Sequence, residues 1–298
     1  MMLEELVKKI TSGITDIKEI GFKNGKMSIL LFLYHYSRIN PEAKDLADTV
    51  LKDVFSEFKT SFRNNYTFAN GSSGIIWTVE YLKENYFIDA ETDALFNTMD
   101  NSMRSLTSTY PVLLDSNDYP FSPGLYFLKR FRNNKSILDY NIQIALIYLT
   151  DHAEKMLEFE SYKKIGIERL SGEEMNFLLF FLLQMDKLNV FPYKVKKLLS
   201  AMEGYIERAS YTNILDILVL QELLPGRSTP SSGEVAYPIE ELVYKASCQS
   251  LFFNSPDIFN LLMSKLELTK EVVSLLFENK YESLSLAQWA IIGLFLID

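Results

Sequence analysis

The sequence predicts an all-α fold, in which helix pairs stack side by side and close into an α/α toroid that spans residues 1–298 as one domain. Three observations predict this fold class. Apolar residues recur at helical spacing through most of the chain. A small residue followed by an apolar helix recurs about every 40 to 50 residues. Signals for β-hairpins are weak, because the two Asn-Gly pairs, at Asn24 and Asn70, both lead into helical patterns.

The helical patterns are of two kinds. In residues 46–58 an apolar stripe stands opposite a charged one, which predicts an outer helix with one buried face. Other stretches are apolar on nearly all sides, which predicts inner helices enclosed by their neighbours. The clearest stretches of the second kind are 142–149, 177–183 and 214–224.

The recurring unit begins most clearly at Gly25 and Gly71. Weaker copies begin near residues 121, 172, 213 and 283, and a degraded copy near 243 brings the total to about seven helix pairs. A small residue just before a helix lets its first turn approach a neighbouring helix closely. We therefore interpret residues 71–74 as a packing feature, because they lack the Gly-Lys-Ser/Thr ending of a phosphate-binding loop.

Composition and charge argue against several classes of function. The net charge of −9, without a stripe of Lys and Arg, argues against nucleic acid as a partner. The most apolar runs, 27–36 and 287–297, are each about half as long as a membrane-spanning helix. Residues 1–10 predict an amphipathic helix rather than a signal peptide. Since the single cysteine, Cys248, cannot form an intrachain disulfide, we expect a cytoplasmic protein without a membrane partner.

Three segments of the repeats carry a family resemblance. They are residues 21–36, GFKNGKMSILLFLYHY; residues 70–82, NGSSGIIWTVEYL, with the trailing FID at 87–89; and the last repeat, 284–296. In these segments the chain resembles the lanthionine synthetase C-like proteins, particularly their divergent Bacteroidetes type. The clear match covers about the first 130 residues and the last 15, and the middle of the chain is assigned by the period alone.

The resemblance implies a seven-fold α/α toroid whose loops gather over a central cavity. In the enzymes of that family the cavity holds a zinc ion, bound by two cysteines and a histidine, which activates a thiol for addition to a dehydroamino acid. Here Cys248 is followed by Gln249 where the family's motif has histidine, and the only histidines are His35 and His152. We therefore expect no metal and no cofactor. The expected function is to bind a peptide, or a peptide-modifying partner enzyme, in the cavity without zinc–thiol cyclisation.

The acidic residues leave a second hypothesis open, a carboxylate-dependent inverting glycoside hydrolase-like enzyme. Such an enzyme needs two acids about 6.5–9.5 Å apart, and its assignment here depends on fold analogy. The sequence identifies no catalytic set, but nine residues could face a cavity: Tyr34, Trp77, Glu80, Asp100, Arg104, Asp115, Asp118, Arg130 and Glu234. The aromatic residues could equally be core residues, and the arginines could equally form structural ion pairs.

Two loops and two side chains complete the predictions. The irregular segments 115–123 and 225–238 are predicted loops, because they are rich in Pro, Gly, Ser or Asp. His35 lies within the first apolar helix, where we expect a core histidine that makes one hydrogen bond. Cys248, as a lone cysteine, is expected to be unreactive if it is buried.

Overall fold

The computed structural model describes residues 2–61, 65–109, 121–133, 140–162, 170–206, 211–226, 235 and 237–297. Within these ranges there are fourteen α-helices and no β-strand, which confirms the all-α fold class. In chain order the helices are α1 Met2–Gly13, α2 Lys26–Tyr36, α3 Glu42–Ser61, α4 Ser72–Glu84, α5 Thr92–Thr109, α6 Ser122–Asn133, α7 Tyr140–Tyr162, α8 Gly172–Lys187, α9 Pro192–Ile206, α10 Ile214–Leu223, α11 Ile239–Phe253, α12 Asp257–Lys265, α13 Lys270–Lys280 and α14 Leu286–Leu294. Among the helices of the described ranges, none combines the length and the apolar character that crossing a membrane requires.

The chain divides into two compact units. The first unit comprises Met1–Ile88 and Val235–Asp298, and it contains α1 to α4 and α11 to α14. The second unit comprises Asp89–Glu234 and contains α5 to α10. Closure of the helix pairs into a toroid stays a prediction.

In the first unit, α2 and α14 are the central helices. They pack against each other, α2 also contacts α3 and α4, and α14 also contacts α1 and α11. Ten of the eleven side chains of α2 are buried, so α2 is an inner helix. By contrast α3 buries Val50 and Val54 but exposes Lys52 and Asp53. The predicted outer amphipathic helix is therefore confirmed.

The remaining helices of the first unit are mostly one-sided. In α1 the buried residues Met2, Leu6 and Ile10 are spaced four apart, which confirms the amphipathic helix predicted at the N-terminus. Helix α11 is the exception, because it contacts α12, α13 and α14 and is buried along most of its length. It occupies the position of the degraded repeat copy predicted near residue 243.

In the second unit, α8 packs between α6 and α10, while α7 contacts α5, α6 and α9. The predicted inner stretch 177–183 lies in α8, and 214–224 covers α10 and its C-cap residue, Leu224. Their side chains are buried from residue 177 to 182 and from 214 to 220. The enclosed helix predicted for 177–183 is therefore confirmed, whereas the stretch predicted for 214–224 is enclosed only as far as residue 220, because Gln221 is exposed and residues 222–224 are half-buried.

The prediction for residues 142–149 was wrong. These residues lie in α7, which buries only one face, formed by Ile142, Ala145, Leu146 and Leu149. The other face leaves Ile144 and Ile147 half-buried and Tyr148 41% exposed. Helix α7 is thus an outer helix that carries apolar residues on its solvent side, and the apolar count could not distinguish it from an inner helix.

The predicted repeat starts coincide with observed helix N-termini. Helices α2, α4, α6, α8 and α10 begin within one residue of the predicted starts, and α14 begins three residues after its predicted start. The side chains of Ser171, Asn213 and Ser285 cap α8, α10 and α14 by accepting a hydrogen bond from a backbone N–H of the first turn. These starts are therefore fixed by local chemistry as well as by packing.

Gly74 is required by the space available at the start of α4. A Cβ atom on this residue would lie 2.0 Å from the Phe68 carbonyl oxygen. The preceding loop also fills the helix N-terminus, because Ser72 donates its backbone N–H and its hydroxyl to the Asn65 carbonyl oxygen, each at 2.9 Å. Ser73 donates its hydroxyl to the carbonyl oxygen of Tyr66 at 2.7 Å. Backbone carbonyl oxygens thus lie at the N-terminus of α4, where a phosphate would bind in a phosphate-binding loop, in agreement with the packing interpretation of residues 71–74.

The predicted C-terminal boundary of the loop 115–123 was wrong. In segment 115–123, Ser122 and Pro123 belong to the first turn of α6, where proline is favourable because its missing N–H has no intrahelical partner. Residues 110–120 lie outside the described residues. In segment 225–238, the described residues 225, 226, 235, 237 and 238 are not helical, as predicted, and the others lie outside the description.

We predict that Gly74→Ala lowers the free energy of unfolding by about 1–3 kcal/mol or more, because the added methyl group displaces backbone rather than a flexible side chain. Gly13→Ala is the matched control. Its Cβ would lie 3.8 Å from Leu286 Cδ2, in ordinary van der Waals contact, so stability should be unchanged or raised by about 0.4–1 kcal/mol. Denaturant unfolding of the two variants tests this. Equal stability of Gly74→Ala and the unmodified chain would contradict it.

Candidate functional site

The C-terminal ends of α2 and α4 lie side by side in the first unit. Arg38, just past α2, donates from Nη2 to the carbonyl oxygen of Asn85, just past α4, at 3.2 Å. Four aromatic side chains gather near this end, and we call them the His35–Tyr81 cluster: His35, Trp77, Tyr81 and Phe87. Three of them are half-buried, and Trp77 is buried, so the cluster reaches from the core to the surface.

The His35 ring and the Tyr81 hydroxyl form a hydrogen bond of 3.1 Å between Nε2 and Oη. Burial first, and the charge of Arg38 second, lowers the pKa of His35 to about 4. Burial raises the pKa of Tyr81 to about 12, while Arg38 opposes and Glu84 reinforces this shift. At neutral pH His35 is therefore neutral and Tyr81 protonated. The prediction of a histidine satisfied by one hydrogen bond is confirmed.

Neighbouring aromatic rings pack against both members of this hydrogen bond. Trp77 stacks on Tyr81 with ring centroids 5.6 Å apart and an interplanar angle of 23°. The Phe87 ring lies 4.8 Å from the His35 ring. The Arg38 guanidinium in turn lies over the Phe87 ring, with Cζ 4.3 Å from the ring centroid. The cluster is thus a rigid aromatic surface with one cation at its edge.

Trp77 also packs into the core on its other sides. Its ring lies between 5.3 and 6.1 Å from those of Phe22, Phe68 and Phe252, in edge-to-face geometry. With 3% of its surface exposed, Trp77 supports the cluster rather than forming its surface. This position agrees with the core alternative for Trp77.

Tyr34 is fully buried in α2 and forms a hydrogen bond with the neighbouring helix α3. Its hydroxyl donates to Asp48 Oδ1 at 2.8 Å, and Lys44 donates to the other oxygen of Asp48 at 2.7 Å. Burial first, and Asp48 second, raises the pKa of Tyr34. Burial opposes ionisation of Asp48, but the hydrogen bonds from Lys44 and Tyr34 outweigh it and lower the pKa of that carboxyl. This pair ties α2 to α3.

In the second unit, Asp100 and Arg130 form a buried ion pair between α5 and α6, each with about 1% of its side chain exposed. Arg130 donates from Nη2 to Asp100 Oδ2 at 2.7 Å and from Nε to Oδ1 at 3.1 Å. The Tyr126 hydroxyl donates to the same Oδ1 at 2.5 Å. Phe96 lies under the guanidinium, 5.7 Å away. The arrangement uses both carboxylate oxygens, as a structural ion pair does.

The sequence analysis missed a polar cluster at the starts of α8 and α10. Asn176 is fully buried and donates from Nδ2 to the backbone oxygen of Asp216 at 2.8 Å. The Tyr211 hydroxyl lies 3.5 Å from Asn176 Oδ1. Burial, and then the charge of Asp216, raises the pKa of Tyr211. The signal was present, because Asp216 is a carboxylate inside an otherwise apolar helical stretch.

The other predicted cavity residues are distributed as follows. Glu80 is fully buried in α4 of the first unit, and Arg104 is half-buried in α5 of the second. Asp115, Asp118 and Glu234 lie outside the described residues. The structure thus brings together Asp100 with Arg130 in the second unit. In the first unit Trp77 belongs to the His35–Tyr81 cluster, and Tyr34 contacts the Phe87 ring of that cluster, with centroids 5.7 Å apart.

The residues that could bind zinc occupy different environments. His35 and Cys248 lie in the first unit and His152 in the second. Cys248 is buried in the middle of α11, with 2% of its surface exposed. In the part of the chain that the structure describes, no group of three or more His, Cys, Asp or Glu side chains could hold a metal ion.

A groove of about 380 Å³ lies at the surface of the first unit. It is lined by Met2, Glu4, Glu5, Lys8, Lys9, Phe277, Glu278 and Tyr281. The Lys9 ammonium covers the Tyr281 ring at 3.9 Å from its centroid. Because both signs of charge line the groove, its chemistry selects no single class of ligand.

No protein-family model matches the chain, and no curated protein matches it significantly.

We predict that stability falls between pH 7 and pH 5 because of His35. Its folded-state pKa lies below the ordinary value of 6.5, so the unfolded chain binds more protons in this window and folding is disfavoured. This loss of stability is absent above about pH 6.5 and grows as the pH falls towards 4. At pH 5 the loss should be about 2 kcal/mol. His35→Gln, which retains a hydrogen-bonding group but does not titrate, should lack this part of the dependence; an unchanged pH profile would contradict the prediction.

We predict that Arg130→Met lowers the free energy of unfolding by about 3–5 kcal/mol, because it leaves the Asp100 carboxylate buried without its ion pair. Adding Asp100→Asn to that variant should recover part of the loss, since the asparagine oxygen still accepts from Tyr126 and no charge remains. Denaturant unfolding of both single variants and the double variant measures the coupling. Strictly additive losses would contradict a direct interaction.

Proposed function

We propose that this protein is a non-catalytic helical-repeat protein, similar to the lanthionine synthetase C-like proteins, that binds a peptide or a partner protein associated with peptide modification. The observation that carries the proposal is the His35–Tyr81 cluster, with pKa values of about 4 and about 12. General acid–base catalysis is efficient when the pKa of the catalytic group lies near the working pH. A rigid, half-buried aromatic surface with these pKa values is better suited to binding than to proton transfer.

The chemistry of the chain also supports binding over zinc–thiol cyclisation. A catalytic zinc usually takes three protein ligands, and the chain has one cysteine and two histidines in total. Of these, His35 is hydrogen-bonded to Tyr81 and enclosed by rings, and Cys248 is buried in a helix. A buried cysteine in such a position acts as a small hydrophobic residue.

Binding is also preferred to glycoside hydrolysis. One of the acids considered for hydrolysis, Asp100, accepts hydrogen bonds from Arg130 and Tyr126 on both oxygens and is almost fully buried. A general acid or base must instead reach the proton that it transfers. We therefore propose no hydrolytic role for this residue.

The proposal predicts that the full chain selects convergent sequences from a phage-displayed library of short random peptides. The selected peptides should bind in the presence of EDTA and should leave the incubation with their mass unchanged, because no reaction is expected. The same library panned on chemically unfolded chain is the control. Absence of convergence, or a changed peptide mass after incubation with the chain and zinc, would overturn the proposal.

A second measurement concerns the metal and the thiol. Protein purified without chelator should contain no stoichiometric zinc by elemental analysis, and Cys248 should react with a thiol reagent only when the chain unfolds, because its side chain is buried. One equivalent of zinc together with a reactive thiol would restore the zinc–thiol chemistry of the family it resembles.

A further inference from the structure

Tyr86, two residues past the last residue of α4, has a backbone conformation that is unusual for tyrosine. Tyr86 has a φ of 60°, in the left-handed region, and Phe87 N–H donates to the Leu82 carbonyl oxygen at 2.9 Å. This is the hydrogen-bonding pattern of a Schellman helix end, in which the left-handed position is usually glycine and sometimes asparagine. Helices α8, α11 and α12 end with the same pattern, at Asn189, Asn254 and Glu267.

Packing does not explain the tyrosine. The Tyr86 side chain is 95% exposed, so it adds almost no buried area in exchange for the backbone strain that a side chain causes at positive φ. Residues held in such conformations are concentrated at binding and active sites. An exposed aromatic ring is also a frequent anchor of protein interfaces.

The neighbouring residue Arg38 supplies a fixed positive charge. Its guanidinium is held over the Phe87 ring and donates one hydrogen bond, to the Asn85 carbonyl oxygen. Within the described residues it forms no ion pair. A guanidinium has five N–H donors in a planar arrangement that suits a carboxylate, and one of them is used in this hydrogen bond.

An exposed aliphatic side chain completes the surface. Ile39 follows Arg38 and is 57% exposed, and its backbone N–H is bonded to the Tyr36 carbonyl oxygen at 3.0 Å. We define the α2–α4 end surface as Arg38, Ile39, Tyr86 and Phe87. It combines one fixed cation with apolar and aromatic side chains on ordered backbone.

We infer that the α2–α4 end surface binds a peptide segment of a partner protein in which an aspartate or glutamate adjoins an apolar residue. The carboxylate pairs with the Arg38 guanidinium, and the apolar residue packs on Tyr86 and Ile39. Charge complementarity selects this occupant, because Arg38 forms no ion pair within the described structure. The inference rests on the proposed function, since it names the partner's chemistry and the surface that recognises it.

The test uses peptides selected on the full chain from the random library, with affinity measured by fluorescence anisotropy. Selected peptides should contain a carboxylate next to an apolar residue, and replacing that acid with its amide should weaken binding at least about tenfold. Arg38→Gln and Tyr86→Asn should each weaken binding by a similar factor. Lys265→Gln, which removes an exposed cation from α12, should leave the affinity unchanged.

Tyr86→Asn has a second readout that a purely structural role would not give. It should raise the denaturation midpoint, because asparagine is favoured at positive φ, while it weakens binding. Glu267→Asn is the matched control at the same position of a helix end. It should raise the midpoint and leave the affinity unchanged.

The outcomes separate the two proposals. If no peptide converges, the binding function and this surface are both overturned. If peptides converge but Arg38→Gln and Tyr86→Asn bind them within about twofold of the unmodified chain, this surface is overturned and the binding function stands. Convergent peptides without a carboxylate would overturn the chemistry assigned to the partner.

Discussion

The close backbone approach at the starts of the inner helices is the constraint on which the first unit depends. Gly74 places the first turn of α4 against the Phe68 carbonyl group, and a Cβ on Gly21 would lie 2.4 Å from the Asn70 Cα. The loop before α4 is therefore in backbone contact with the start of α2 as well. Since α2 and α4 begin next to each other and run in the same direction, their last turns also meet. The close approach of backbone at one end of this helix pair is thus accompanied by side-chain contacts at the other end, including the hydrogen bond between His35 and Tyr81.

Enclosure of the inner helices has a chemical consequence. A polar group on such a helix has no solvent to bind, and leaving it without a partner costs about 1–3 kcal/mol. Tyr34 is accordingly bonded to Asp48, Arg130 to Asp100, and Asn176 to the backbone of Asp216. These contacts stabilise helix packing and use the donors and acceptors that catalysis would need. The helix ends differ from the helix interiors, because there ordered backbone meets solvent and aromatic rings can be both fixed and accessible.

Sequence reasoning predicted the helix starts well and the polar contacts poorly. The starts depend on local signals, such as Gly25 and Gly71 followed by apolar residues, and local signals are visible in one sequence. The assignment of 142–149 failed because helical periodicity reports which residues are apolar, not which face has a neighbour. The Asp100–Arg130 pair joins residues 30 positions apart on different helices, and only the fold brings them together. The positive φ of Tyr86 could not be predicted either, because a tyrosine in a sequence does not indicate a left-handed conformation.

The four Schellman helix ends differ in how well the residue at the left-handed position suits its backbone conformation. Asn189 and Asn254 suit their backbone conformation, so their presence needs no further cause. Glu267 and Tyr86 do not, although both backbones make the same hydrogen bonds. Glu267 demonstrates that the fold accepts an unfavourable residue at such a position, so strain alone does not single out Tyr86. Its sequence neighbours do: Tyr86 adjoins Phe87, whose ring lies under the Arg38 guanidinium, and Arg38 is followed by the exposed Ile39. The contacts of Arg38 with Asn85 and Phe87 also stabilise the junction of α2 and α4, whereas burial does not account for the exposed tyrosine at a positive φ, and this difference is the reason for proposing a ligand there.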